Sequence, residues 1–230
     1  MKLLIALVIT LVLTVLLKEP IRKVPWVFYI LALALDIIYL TGAALDIWRG
    51  GALAAWPFVM RGLVAISLFI IVMYLGVFST NNKFRKWLMP IRGELSVIAC
   101  ILTFGHVINY LQSYLLIVLE DLGGVPATRL IAFLVAVVLL VLLIPLTITS
   151  FKTIKAKMNA ASWKKLQSSA YVFFGLIYVH IAFVLGPSAF AGAREALISL
   201  ISYTVIFVVY AVLRIRRAML DKKATAEEAA

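Results

Sequence analysis

Two histidines, His106 and His180, are the only ones in the chain, and each lies inside an apolar run long enough to cross a bilayer. The first run extends from about Leu95 to Leu119 and the second from about Leu166 to Leu185. Imidazole is costly in hydrocarbon and is generally assigned work there: a proton path, a metal or a cofactor. Two imidazoles on different helices can also face each other across one haem iron, with the porphyrin faces packed on apolar side chains. A satisfied structural role for each ring, or a proton path through both, stays open beside haem ligation.

Asp36 is the other ionisable residue deep in an apolar run. It lies about 18 Å from the start of its segment at the helical rise, and His106 lies about 18 Å past Glu94 by the same rise. Asp36 therefore reads as a proton acceptor, as a hydrogen-bond partner of a ligand imidazole, or as a neutral acid bonded at a helix interface. Arg61, five residues into an apolar stretch, either snorkels to the interface or pairs with a carboxylate such as a haem propionate. Asn109 and Tyr110 follow His106 by one turn and are candidates to hydrogen-bond a propionate or a quinone carbonyl. Cys100 is the sole cysteine, so an internal disulfide and a multi-cysteine iron–sulfur site are excluded.

The elements that carry these residues are transmembrane. The 230 residues are 65% hydrophobic, with a mean hydropathy of +1.11, which no soluble domain of this size approaches. Seven apolar segments stand out: Leu3–Leu17, Val24–Trp48, Trp56–Phe78, Leu95–Leu119, Leu130–Ser150, Leu166–Leu185 and Ala196–Leu213. The first is short for a span and resembles a signal peptide in length, yet it has no small-residue cleavage pattern and reads as a retained helix.

Of the 22 Lys and Arg, 17 fall in residues 18–23, 83–92, 152–165 and 214–223. By the charge-bias rule those stretches are cytoplasmic. The expectation is an all-α membrane bundle of about seven transmembrane helices, with the N-terminus outside and the C-terminus cytoplasmic. The trps Trp26, Trp48, Trp56, Trp87 and Trp163 fall near segment ends, where indole prefers the interface. Residues 1–220 form one domain, and 221–230 read as a disordered or frayed tail. The net charge of +12 belongs to these loops; no basic segment forms a surface for nucleic acid, and the expected non-protein partner is membrane lipid. Pro145 interrupts the fifth segment, with Thr147, Thr149 and Ser150 nearby to satisfy freed carbonyls.

Longer strings carry a resemblance. Ile91-Arg-Gly-Glu-Leu-Ser-Val, followed by Gly105-His106-Val-Ile-Asn-Tyr-Leu, resembles the start and haem-ligand turn of the ferric reductase-like transmembrane family. Pro145-Leu-Thr-Ile-Thr-Ser, a basic loop, and Trp163-Lys-Lys-Leu-Gln before Tyr178-Val-His180 are similar to that family's next two helices. The resemblance covers about residues 55–215. Its nearest-looking branch is the haem-binding membrane subunit serving a periplasmic methionine sulfoxide reductase.

The resemblance implies His106 and His180 as ligands of haem b in a prokaryotic plasma membrane. It departs from the branch at Gln167, where a further His is typical, and at Arg92 and Gly93, where none precedes His106. One haem b, in the outer half, is therefore expected. A short first helix ahead of the core also departs from the family's six-helix plan. The implied function is electron transfer from a quinone pool or a cytoplasmic flavoprotein, with FMN near Arg92, Lys164 and Lys165 as one form of donor. The acceptor would be an extracytoplasmic reductase, a flavin protein or ferric iron. No dinucleotide fingerprint is present, so the chain reads as the membrane component of an oxidoreductase without a complete catalytic site. Two other readings remain: a transporter or proton path built on Asp36, His106 and His180, and a membrane anchor for another subunit.

Overall fold

The computed structural model describes residues 2–44, 62–120 and 124–228. Arg61, Trp48 and Trp56 lie outside the described residues. Eleven α-helices make up the described chain, with no strand among them. They are α1 (Lys2–Leu16), α2 (Lys18–Lys23), α3 (Pro25–Ala44), α4 (Leu63–Leu75), α5 (Lys83–Leu88), α6 (Arg92–Glu120), α7 (Ala127–Ile148), α8 (Lys152–Lys157), α9 (Ala160–Gln167), α10 (Ser169–Phe190) and α11 (Arg194–Glu228). A single 3₁₀ turn, Met89–Ile91, joins α5 to α6.

Each of the seven apolar segments contributes a helix to the described chain. Five stretches are long and apolar enough to cross a membrane: Pro25–Gly42, Lys83–Ile117, Ala127–Ile148, Ala160–Phe190 and Arg194–Lys222. The chain is a multi-pass membrane protein. Helices α1 and α4 are shorter, with 15 and 13 residues, or about 22 and 20 Å at the helical rise, against a hydrocarbon core of about 30 Å. Helix α11 continues past Asp221 to Glu228, through the stretch expected to fray.

The surface is apolar, as lipid contact requires: Val141 is 64% exposed and Val212 59%. Helix α4 differs from every other apolar helix, because no residue from Leu63 to Leu75 is exposed. It packs on α1 and α6. The Phe69 ring meets Phe173 of α10 edge-on at 5.4 Å, and the Tyr74 hydroxyl donates to the Ile206 carbonyl of α11 at 2.6 Å. Helix α1 approaches it through Ala6, Thr10 and Thr14, all buried, small side chains at the three- and four-residue spacing that lets helices come close. Its Thr14 hydroxyl is satisfied by the Thr10 carbonyl at 2.7 Å. Around this axis, α3 packs on α6, while α10 packs between α7 and α11.

The basic loops share one face. Lys18 lies 4.7 Å over the Trp87 ring, Lys152 pairs with Glu94, and the Trp163 indole donates to the Thr149 carbonyl at 3.0 Å. On the opposite face Lys2 pairs with Glu195 at 3.3 Å. At Pro145 the hydroxyls behave differently from expectation. The lost amide frees the Val141 carbonyl, four residues back, whereas Thr147, Thr149 and Ser150 donate to Leu143, Pro145 and Leu146. Each hydroxyl reaches its own i−4 carbonyl, the geometry open to Ser and Thr in any helix.

Candidate functional site

His180 sits at the middle of α10 and is half-buried. Its Nδ1 lies 3.0 Å from the carbonyl oxygen of Ala132 on α7. A carbonyl can only accept, so Nδ1 carries the proton and the neutral ring keeps its lone pair on Nε2. Ala132 is buried and without bulk, which lets the imidazole reach the α7 backbone. A fixed Nδ1–H with Nε2 left over is how proteins hold a histidine for a metal.

His106 lies on α6. Its ring rests on Tyr110, one turn further on, with centroids 4.7 Å apart. On the other side is Gly62, at φ +70° just before α4. A Cβ at Gly62 would come within 3.4 Å of the His106 Nδ1. Glycine suits the left-handed turn that starts α4, and the imidazole lies at van der Waals distance beside it.

Asp36, on α3, meets α6 at Gly105, the residue before His106. Its carboxylate accepts the Gly105 amide at 3.2 Å, and it is buried. The carboxylate fills the place where a Gly105 Cβ would stand. The shared depth read for Asp36 and His106 is therefore a direct helix contact between α3 and α6. Asn109 is half-buried one turn after His106.

His106 rests against Tyr110 and Gly62, whereas His180 is bonded to the Ala132 carbonyl. Between their helices, the half of the bundle nearest the basic loops is filled. Phe69 meets Phe173, Phe174 stacks on Phe207 at 4.2 Å, and Tyr74 leans on Tyr210 at 5.7 Å. Helix α4 reaches only as far as Gly62 at the level of His106. Towards the other end, a cavity of about 210 Å³ is lined by Tyr114, Arg129, Ala132, Phe183, Val184 and Ser188, among others.

Gln167 is tied down. Its amide donates to the Thr149 hydroxyl at 3.0 Å, beside the Trp163 indole bond to the same residue's carbonyl. These two bonds clamp α9 to the end of α7. The Arg92 Nε donates to the Val72 carbonyl at 3.1 Å, and a Cβ on Gly93 would lie 3.4 Å from the Ser150 carbonyl.

Residues 61–179 match the family described as ferric reductase like transmembrane component. The chain belongs to that family. The matched range contains His106 and Gln167, and it ends one residue before His180. An uncharacterized protein of Treponema pallidum (strain Nichols) is 39% identical over 157 residues, which is 68% of this chain. The chain spans 43% of that relative's length. No solved structure matches.

Sequence reasoning missed the Ala132 carbonyl and Gly62. A backbone acceptor has no residue signature. Gly62 was legible only as a glycine beside an arginine.

Proposed function

We propose that the chain is a haem b electron-transfer subunit with His106 and His180 as the axial ligands of a single haem in the outer half of the bilayer. The observation that carries this reading is the Nδ1–H bond from His180 to Ala132, which leaves Nε2 as a ready donor to iron. When bound, haem b supplies reversible one-electron transfer between two states of its iron. The chain's own residues do the rest. His180 is held in one tautomer by α7. His106 is steadied by Tyr110 and fits against Gly62. Asp36 fixes α3 to α6 beside His106.

The aromatic filling between α4, α10 and α11 argues for one haem only. A second, inner haem would need the volume taken by Phe69, Phe173, Phe174 and Phe207, and its histidine position is Gln167, already bonded to Thr149. Arg129 lines the cavity one turn before Ala132 and is suited to a propionate, as is Arg61; guanidinium groups pair well with carboxylates. Asn109 is the remaining polar candidate beside His106.

In this reading seven helices cross the membrane, with the N-terminus outside and the basic face in the cytoplasm of a prokaryotic cell. Electrons arrive from a membrane quinol or a cytoplasmic flavoprotein, FMN being one carrier, and leave to an extracytoplasmic acceptor such as a reductase partner. The test is a reduced-minus-oxidised optical spectrum of the protein produced with adequate haem. A low-spin b-type spectrum is expected at one haem per chain, and it is lost in both His106→Ala and His180→Ala. A normal spectrum in either variant overturns the ligand pair.

A further inference from the structure

The cavity at the end of the bundle away from the basic loops lies directly outward of the His180–Ala132 bond. Ala132 belongs to both: its carbonyl accepts from the His180 Nδ1, and the residue lines the cavity. On α10, Phe183 and Val184 follow His180 by three and four residues, which puts them one turn outward on the same helix face. Both line the cavity. On α7, Arg129 precedes Ala132 by three residues and lines it too. Helix α6 contributes Tyr114, whose ring is stacked on Phe133 at 6.2 Å.

Size and lining select the ligand. The volume of about 210 Å³ is below the roughly 300 Å³ at which sites for drug-sized molecules begin. The cavity therefore holds one substituted ring and excludes a flavin or a porphyrin. Its polar groups come from three helices: the Arg129 guanidinium, the Tyr114 hydroxyl and the Ser188 hydroxyl. All three can donate to a carbonyl oxygen, and the two hydroxyls can also accept from an O–H. Ala132, Phe183 and Val184 give it an apolar wall. Val184 is 45% exposed on the lipid-facing surface of α10, whereas Arg129 and Ser188 are exposed at the helix ends. The cavity thus has one side towards the bilayer and one rim towards water.

We infer that this cavity is a quinol-oxidation site, with the quinol headgroup between α6, α7 and α10, its oxygens on Arg129, Tyr114 and Ser188, and its isoprenoid tail leaving past Val184 into the bilayer. The inference rests on the proposed single haem held by His106 and His180, and it chooses between the two donors left open there. Towards the basic loops the bundle is packed with Phe69, Phe173, Phe174 and Phe207, and Gln167 is bonded to Thr149. No inner haem stands there to relay electrons from a cytoplasmic flavoprotein. A donor bound one turn from His180 needs no relay. Oxidising the quinol breaks its two O–H bonds. The two protons pass to water at the rim beside Arg129 and Ser188. The two electrons pass singly to the haem and on to the extracytoplasmic acceptor, which is reduced, and the quinone leaves by the bilayer side.

The experiment is isothermal titration calorimetry of the full chain in detergent with menadione and with a ubiquinone bearing a single isoprene unit, each corrected for protein-free micelles. Haem content is read from the optical spectrum of the same samples. Saturable binding of one quinone per chain is expected. Arg129→Gln should weaken it about tenfold or more, as loss of a charged hydrogen bond does, and Val184→Trp, which fills the cavity from its rim, should abolish it. Both variants should keep the haem. Val141→Trp, on the lipid-facing side of α7, should bind like the parent. Equal binding in the parent and both cavity variants, or no saturable binding of either quinone, would overturn the site. Haem loss in Arg129→Gln with quinone binding intact would overturn it too, by making the cavity the seat of a propionate. Binding that responds to the cavity variants in a chain that takes up no haem would support the quinone site and remove the electron-transfer reading. A b-type spectrum without quinone binding would do the reverse.

Discussion

The Asp36 carboxylate occupies the space a side chain would fill on Gly105, and it accepts that residue's amide at 3.2 Å. An acid on α3 and a glycine on α6 are therefore one packing unit, adjacent to His106. Gly105→Ala should drive a methyl group into the carboxylate and destabilise the protein by about 1–3 kcal/mol, as overpacking does. Asp36→Gly in the same chain should restore much of the loss. Thermal unfolding in detergent checks both; additive destabilisation in the double variant would show that the two residues are not coupled.

If Asp36 serves mainly to hold α3 on α6 beside His106, Asp36→Asn should keep the b-type spectrum. If the carboxylate also receives a quinol proton, the same variant should slow haem reduction by quinol about tenfold or more, in the range of general-base effects. Stopped-flow reduction measures it, and an unchanged rate removes Asp36 from the proton path.

Ala132 is nearly inaccessible, and its carbonyl fixes the His180 ring. Ala132→Leu should push α7 from α10 and loosen that bond. Loss of such a supporting contact lowers metal affinity by about 10–100-fold. Haem retention during dialysis against a haem-binding competitor is the measurement, with His106→Ala as the reference for complete loss.

Gln167→Leu should remove the bond to Thr149 at a loss of about 0.5–1.5 kcal/mol and leave the optical spectrum untouched. A halved haem content in that variant would mean that a second haem had been missed.

Glu19 lies outside the spans, and its hydrogen bond to Lys18, with Arg22 adding to it, holds the carboxyl below its usual value. A lowered carboxyl contributes stability at neutral pH that disappears as pH falls through its native pKa. Glu19→Gln should therefore melt slightly lower than the parent at pH 7, and the gap should close only well below the ordinary carboxylate range, at about pH 2. Melting curves at both pH values decide it.

The helices were legible because hydropathy and the placement of Lys and Arg are both local signals. His106, His180 and Asp36 stood out for the same reason: each is a polar interruption in an apolar run. What sequence could not display was contact. The bond to Ala132 uses a backbone carbonyl, and the Asp36–Gly105 fit needs two helices brought side by side. The enclosure of one span was equally hidden. The segment Trp56–Phe78 reads as apolar throughout, like the others, yet α4 within it, 13 residues long, is sheathed by protein. Whether Arg61 meets a propionate falls outside the described residues.

That sheathing changes the solvent α4 answers to. Lipid tails accommodate a methyl group more or less wherever it is offered, so Val141 on α7 has latitude among apolar residues. Ala65 and Val72, enclosed by neighbouring helices, meet fixed walls instead. An exchange of one apolar residue for a larger one, invisible to any hydropathy scale, should be silent on the rim of this bundle and disruptive at its axis.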